Sequence, residues 1–307
     1  MSEPGPRAFR RFRLNWKTKA AAFRAFDSLP AGERLYYLTQ RYITRTLPRD
    51  LVHQGRWPFE HGQTFRRHFA GDLASARLFE LGAGWDLYSN LVQWCYGVNH
   101  QLVVDISRLI RLDLLNRVIR YLREHPPSGF VRVPETPLTE PVVASLEQLY
   151  GIRYVAPADA RRTGLVSASV DLVCTTSVLE HIPATALADI MRECRRLCHA
   201  GSVISHVVDY SDHYAHSDAS ISFYNFLRFS DEEWTPYNPP IHYQNRLRHF
   251  EYGQLFAEAG FEAVAQTIVR PDGAAEVAAA IPRSARFRAM TLDQLTPLTG
   301  HWVLRPR

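Results

Sequence analysis

The feature that most constrains this chain is the segment Arg77-Leu78-Phe79-Glu80-Leu81-Gly82-Ala83-Gly84. A short apolar run stops at a pair of glycines, and a helical pattern, Leu87 to Tyr96, begins directly after. A second apolar run, Gln101 to Asp105, is followed by a helical stretch from Ile106 to Arg123 with Leu109, Leu112, Leu115, Ile119 and Leu122 on its inner side. Further strands read at Ile152–Val155, Asp171–Thr176, Ser202–Val208 and Phe261–Val269, with helices at 183–198 and 251–259. Short strands alternating with helices in this way predict a mostly parallel, doubly wound α/β sheet. The proline-rich stretch 125–141 reads as a connector.

The ends of these strands carry the chemistry. A glycine turn lets a ligand approach the backbone closely, and the next helix offers free N–H groups beside it. A dinucleotide site needs a third glycine, and Leu87 stands where it would fall. Glu80, just before the turn, is also wrong for a pyrophosphate. Asp105 closes the second strand 21 residues after Gly84, placed to accept bonds from two ribose hydroxyls. A carboxylate before the glycines favours a ligand with a cationic end and no phosphate.

Charge is uneven. Residues 1–70 hold 14 Lys and Arg against 5 Asp and Glu, although the whole chain is only +5. Phe9, Phe12, Trp16, Phe23 and Phe26 form an amphipathic stripe there, broken at Leu29–Gly32; a second helix, Glu33 to Leu47, sets Leu35, Leu38, Tyr42 and Thr46 on one side. This arm reads as a helical N-terminal cap or lid (1–70) before a ligand-binding domain (71–307), rather than as a nucleic-acid arm or an organellar presequence. Residues 206–252 hold 11 aromatics, about twice the chain's average density, and five histidines; this insertion after strand five (210–250) is either an acceptor-site wall or a structural mini-core. No apolar run reaches the ~20 residues of a membrane span. No signal peptide is apparent, and the four scattered cysteines read as reduced thiols, so a cytoplasmic protein is expected.

With those residues in view, the chain resembles the class I S-adenosylmethionine (SAM)-dependent methyltransferases. Glu80-Leu81-Gly82-Ala83-Gly84 and Val103-Val104-Asp105-Ile106 look like their first two motifs, and Pro157-Ala158-Asp159-Ala160 resembles the adenine-reading segment. Val170 to Ile182, through Leu179-Glu180-His181, is similar to the fourth-strand motif of the UbiE-like, small-molecule branch, and Ile190 to Gly201 to the helix and turn before strand five. The resemblance covers about 75–210 and, more loosely, 250–270. It implies a Rossmann-like sheet and SAM as cofactor. Glu80, Gly82 and Gly84 would face its methionine part, Asp105 the ribose, Ile106, Asp159 and Ala160 the adenine, and Thr176 and Ser177 the underside of the sulfonium. The family's pattern is broken at Trp85-Asp86, which makes a bulkier loop, and the insertion at 210–250 matches no family motif.

Methyl transfer is an in-line displacement, so alignment of the acceptor dominates, and a hydroxyl or ammonium acceptor also needs a base. Candidate catalytic residues are Asp209, Tyr210 and His213 beyond strand five, and His181 after strand four; His206, on an apolar strand, is expected to be a core histidine. Candidate acceptor contacts are Tyr36, Tyr37, Gln40, Tyr214, Asn245, Arg246 and Arg248, the arginines as clamps for a carboxylate or phosphate. No histidine spacing supports a metal site, and none is expected. The expected activity is methylation of an oxygen or nitrogen of a small molecule. Alternatives are a SAM-consuming cyclisation that releases methylthioadenosine, a nucleic-acid methyltransferase using the basic arm, and a non-catalytic SAM-binding module. Nucleic acid is not the expected partner; an oligomer is left open.

Overall fold

The computed structural model describes residues 15–52 and 55–307. Phe9 and Phe12 of the expected stripe lie outside the described residues. The chain divides into two compact units. The first comprises 1–49, 211–243 and 271–296; the second comprises 50–210, 244–270 and 297–307. The contact boundary thus falls at 49 rather than at 70, and the helix Arg56–His68 belongs with the sheet.

The second unit is built on seven strands: β1 (Arg77–Leu81), β2 (His100–Val104), β3 (Ile152–Val155), β4 (Val170–Thr176), β5 (Cys198–Asp209), β6 (Phe261–Val269) and β7 (Thr299–Pro306). Their order is β3-β2-β1-β4-β5-β7-β6, and β7 runs antiparallel between β5 and β6. The other neighbouring pairs are parallel. Because central parallel strands are covered on both faces, they need continuous apolar runs. In β4, Leu172, Val173 and Cys174 are all fully buried. On one face, Phe79, Val173, Ile204 and Leu304 meet Leu187, Met191, Cys194 and Leu197 of the helix Ala184–Leu197, and Tyr252 and Phe256 of the helix His249–Glu258. On the other, Leu172, Cys174, Val203 and Val303 cluster with Phe65 of the helix Arg56–His68. The four cysteines are buried and unpaired with one another.

Two local readings need correction. The helix expected from Ile106 begins at Leu112, because Asp105 Oδ1 accepts the Ser107 N–H (3.3 Å) and turns the chain before a helix can start. The connector reading missed a helix, Val142–Tyr150.

The first unit is helical turns around an aromatic core. Trp16 lies 4.7 Å from Tyr237 and Phe23 4.4 Å from His242, ring centre to ring centre, and Phe226 packs near Phe287 (6.4 Å). Trp16 N–H donates to Asp218 (2.8 Å) and Ser284 N–H to Leu227 O (2.9 Å). The aromatic insertion is therefore a mini-core shared with the N-terminal helix Trp16–Asp27. The following helix, Gly32–Leu38, continues in a wider π turn to Ile43 rather than reaching Leu47, and its expected inner stripe faces outward, with Tyr42 67% exposed. No helix among the described residues is long and apolar enough to cross a membrane.

Candidate SAM site

In an open α/β sheet the crevice lies at the strand C-termini where the strand order reverses, here between β1 and β4. Both strands end in turns that use left-handed backbone. Gly82 and Gly84 have φ of +71°, a region costly for residues with a Cβ. A Cβ on Gly82 would stand 2.5 Å from Val178 Cγ1, so the two chain reversals touch. On the β4 side Ser177 adopts φ +52°, a strain of the kind found at functional sites.

Several of the expected cofactor residues lie at the ends of these and neighbouring strands. Glu80 is 2% exposed and pairs in register with Val103 and Cys174; its charge raises the pKa of the buried Cys174 thiol further, after burial itself. Asp105 is buried at the end of β2, and its backbone is held by Val155 O and by the Ala158 N–H. Ile106 beside it is 80% exposed, an apolar plate that the fold leaves uncovered. These residues fit SAM: carboxylates for an ammonium and for hydroxyls, and an apolar surface for a base. Asp159 is different, because Arg161 binds its carboxylate at 2.7–3.0 Å and holds it below the ordinary range; half-buried Ala160 follows it. Trp85 stacks with Arg111 (5.3 Å), whose N–H also donates to Trp85 O (3.1 Å), so the bulky loop is pinned to the next segment.

The catalytic candidates are divided between the two units, His213 in the first and His181, Asp209 and Tyr210 in the second. Tyr210 is 2% exposed; its hydroxyl accepts from Trp302 Nε1 (2.9 Å) and bonds with His249 Nδ1 (3.0 Å), and burial pushes the phenol up. It is a core residue. His213 belongs to the first unit, close to His216 and His242. His206 is a core histidine, held by Thr175 (2.9 Å), stacked on Phe256 and pushed down to about 3 by burial. His181 is exposed on the turn Leu179–His181.

Asp209 lies at the half-buried end of β5, beside Glu180, to which the sequence reading gave no role. Its N–H donates to Glu180 Oε1 (3.3 Å). Glu180 is 3% exposed, and its carboxyl is held well above the usual range, first by burial and then by the Asp209 charge. The available signal was its position between Leu179 and His181 in the fourth-strand motif.

Three expected acceptor contacts are structural instead. Arg248 is fully buried and donates to the carbonyls of Tyr210 and Pro297 (2.5 and 2.7 Å). Asn245 ties its loop to Leu179 O, Ile182 O and Tyr252 (2.9–3.0 Å). Tyr214 is 0% exposed and donates to Tyr237 O (2.6 Å) inside the aromatic core. Arg246 is buried at φ +59°. Tyr36, Tyr37 and Gln40 are half-buried in the first unit, Gln40 donating to the Tyr36 hydroxyl (2.8 Å).

Residues 80–205 match the family model described as a methyltransferase domain. This part of the chain is similar to a methyltransferase domain, on a sheet of the class I kind. S-adenosylmethionine is its cofactor. Among curated proteins nothing matches. Solved structures similar to the chain include geranyl diphosphate C-methyltransferase from Streptomyces coelicolor A3(2), at 12% identity, 84% of this chain, 82% of that one and a TM-score of 0.48. A protein from Pyrococcus horikoshii OT3 is also similar, at 13% identity, 87% and 98% coverage and a TM-score of 0.47. At such values nothing about an acceptor passes from them to this chain.

Proposed function

We propose that this chain transfers the methyl group of SAM to an oxygen or nitrogen of a small-molecule acceptor. The observation that carries the reading is the pairing of buried Glu80 and Asp105 with a glycine turn at the point where the sheet reverses order. That donor set suits an ammonium and a ribose and repels a phosphate. SAM supplies an electrophilic methyl on a sulfonium. In this reading Glu80 and the Gly82 backbone hold the methionine end, Asp105 the ribose and Ile106 one face of the adenine. Asp159 meets the exocyclic amine once Arg161 shares it, and Thr176 and Ser177 lie beneath the sulfonium.

On the acceptor side we assign proton removal to Asp209. Glu180 beside it has its carboxyl held well above the usual range, first by burial and then by the Asp209 charge, and paired acids in unequal surroundings divide the roles of acid and base. The arrangement of Trp85 against Arg111 gives no support to a cyclisation in which free aromatic rings would cradle a sulfonium.

Calorimetry with SAM and with S-adenosylhomocysteine is the direct test. Both are expected to bind, and Asp105→Ala to weaken both by about 10- to 100-fold, the loss of one charge-assisted pair of bonds. Mass spectrometry of the protein with SAM alone should show SAM intact. Release of methylthioadenosine would replace this proposal with a cyclisation, and absence of binding would end it.

A further inference from the structure

Beneath the C-terminal end of β4 runs an unbranched line of four polar side chains. His61, from the helix Arg56–His68, is fully buried. Its Nε2 lies 3.0 Å from Thr176 Oγ1 and its Nδ1 2.6 Å from Ser205 Oγ. Ser205 Oγ in turn lies 2.8 Å from His301 Nε2 on β7. Ser205 is also 0% exposed, while His301 has 5% of its surface in contact with solvent. The line is set among apolar neighbours, with Phe65 stacked on the His61 ring (6.5 Å) and Cys174, Val203 and Val303 in the same layer.

A neutral imidazole carries one donor and one acceptor, and a hydroxyl can do both. The line is therefore fully satisfied in two opposite senses. In one, Thr176 donates to His61, His61 Nδ1–H to Ser205, and Ser205 to His301; in the other every bond reverses. We propose that Thr176, His61, Ser205 and His301 form a proton wire that carries the acceptor's proton from the methyl-transfer site to solvent.

The role at the methyl-transfer site rests on the placement of Thr176 beneath the sulfonium. The balance closes. The S–CH3 bond breaks with its electrons going to sulfur, the new bond joins CH3 to the acceptor oxygen or nitrogen, and the acceptor's proton, once picked up at Asp209 or directly, enters at Thr176 Oγ1. Thr176 passes its own proton to His61 Nε2, His61 Nδ1 gives one to Ser205, Ser205 gives one to His301 Nε2, and His301 Nδ1 releases one to water. All four groups end neutral with the bonds reversed, and rotation of the hydroxyls and exchange at the rings reset them. Neither histidine is suited to keep the proton. Burial, then the His301 and His206 charges, hold His61 well below the usual range, and burial with Arg56, Arg67 and His68 brings His301 down to about 4.

The test needs neither SAM nor an acceptor. Exchange of the His61 ring N–H with water is measured by NMR on protein carrying 15N-histidine. Thr176, half-buried, is a second end of the line, so it is closed with Thr176→Val; in that background Ser205→Ala and, separately, His301→Gln should each slow the exchange by about tenfold or more, because both paths to solvent are then cut. A network that only supports the fold predicts the opposite, since removing one of its bonds loosens the site; unchanged or faster exchange in both variants overturns the proposal. Amide protection in β4 and β5 shows that each variant is folded. SAM calorimetry run beside it separates the two ideas: a protein that does not bind SAM but shows slowed exchange has lost the proposed function and kept the wire.

Discussion

At the scale of single residues, burial decides which polar groups react and which hold the fold. Tyr210 illustrates the second case. Tyr210→Phe leaves Trp302 Nε1 and His249 Nδ1 without their shared partner and should cost about 1–3 kcal/mol in urea unfolding, with SAM affinity unchanged. A loss of SAM affinity without a loss of stability would restore Tyr210 to the site. Glu180 illustrates the first case, through pH. Well below about pH 4 both folded and unfolded chains hold its proton, and the group makes no difference. As pH rises, the unfolded chain releases the proton while the folded chain keeps it, so stability falls until the raised folded pKa is passed. Glu180→Gln should therefore match the parent near pH 4 and exceed it in stability at pH 7 to 8, measured by denaturant midpoint. An equal offset at both values would mean that Glu180 ionises normally.

At the scale of elements, the turns after β1 and β4 are coupled by contact. Gly82→Ala places a Cβ 2.5 Å from Val178 Cγ1 and imposes a left-handed φ worth about 1–2 kcal/mol. It should lose SAM binding while keeping the circular dichroism of the intact sheet. Adding Val178→Ala removes the clash but not the φ penalty, so recovery should be partial; full recovery would show that only the contact mattered. The elements also show how far local pattern carries. β1, β3 and β6 were legible to the residue, because an apolar run between turn residues has few other fates. β7 was not read at all, although Trp302-Val303-Leu304 is apolar, since nothing local says that a final segment returns to the sheet between two strands already assigned.

At the scale of the molecule, the helix Trp16–Asp27 belongs to a core whose other walls come from 211–243 and 271–296. Trp16→Ala deletes a ring that meets Tyr214, Phe229, Trp234 and Tyr237, a truncation worth about 3–5 kcal/mol. Hydrogen exchange should rise in all three segments of the first unit and little in the β-sheet. A rise confined to the first helix would mean that the segments are not one cooperative body.

The sequence alone determined the parallel sheet and put Glu80, the glycine turn and Asp105 at strand ends, because local apolar runs define those ends. Their spacing along the chain is already their geometry across neighbouring strands. The tertiary structure alone decided what the remaining polar residues do. Arg248, Asn245 and Tyr210 look like ligands in a string of letters, and become supports once burial shows their bonds spent on carbonyls and neighbouring rings. His61, Ser205 and His301 carry no motif. They meet only because a helix, β5 and β7 from distant parts of the chain converge beneath Thr176, and contacts between segments so far apart leave no local pattern to read.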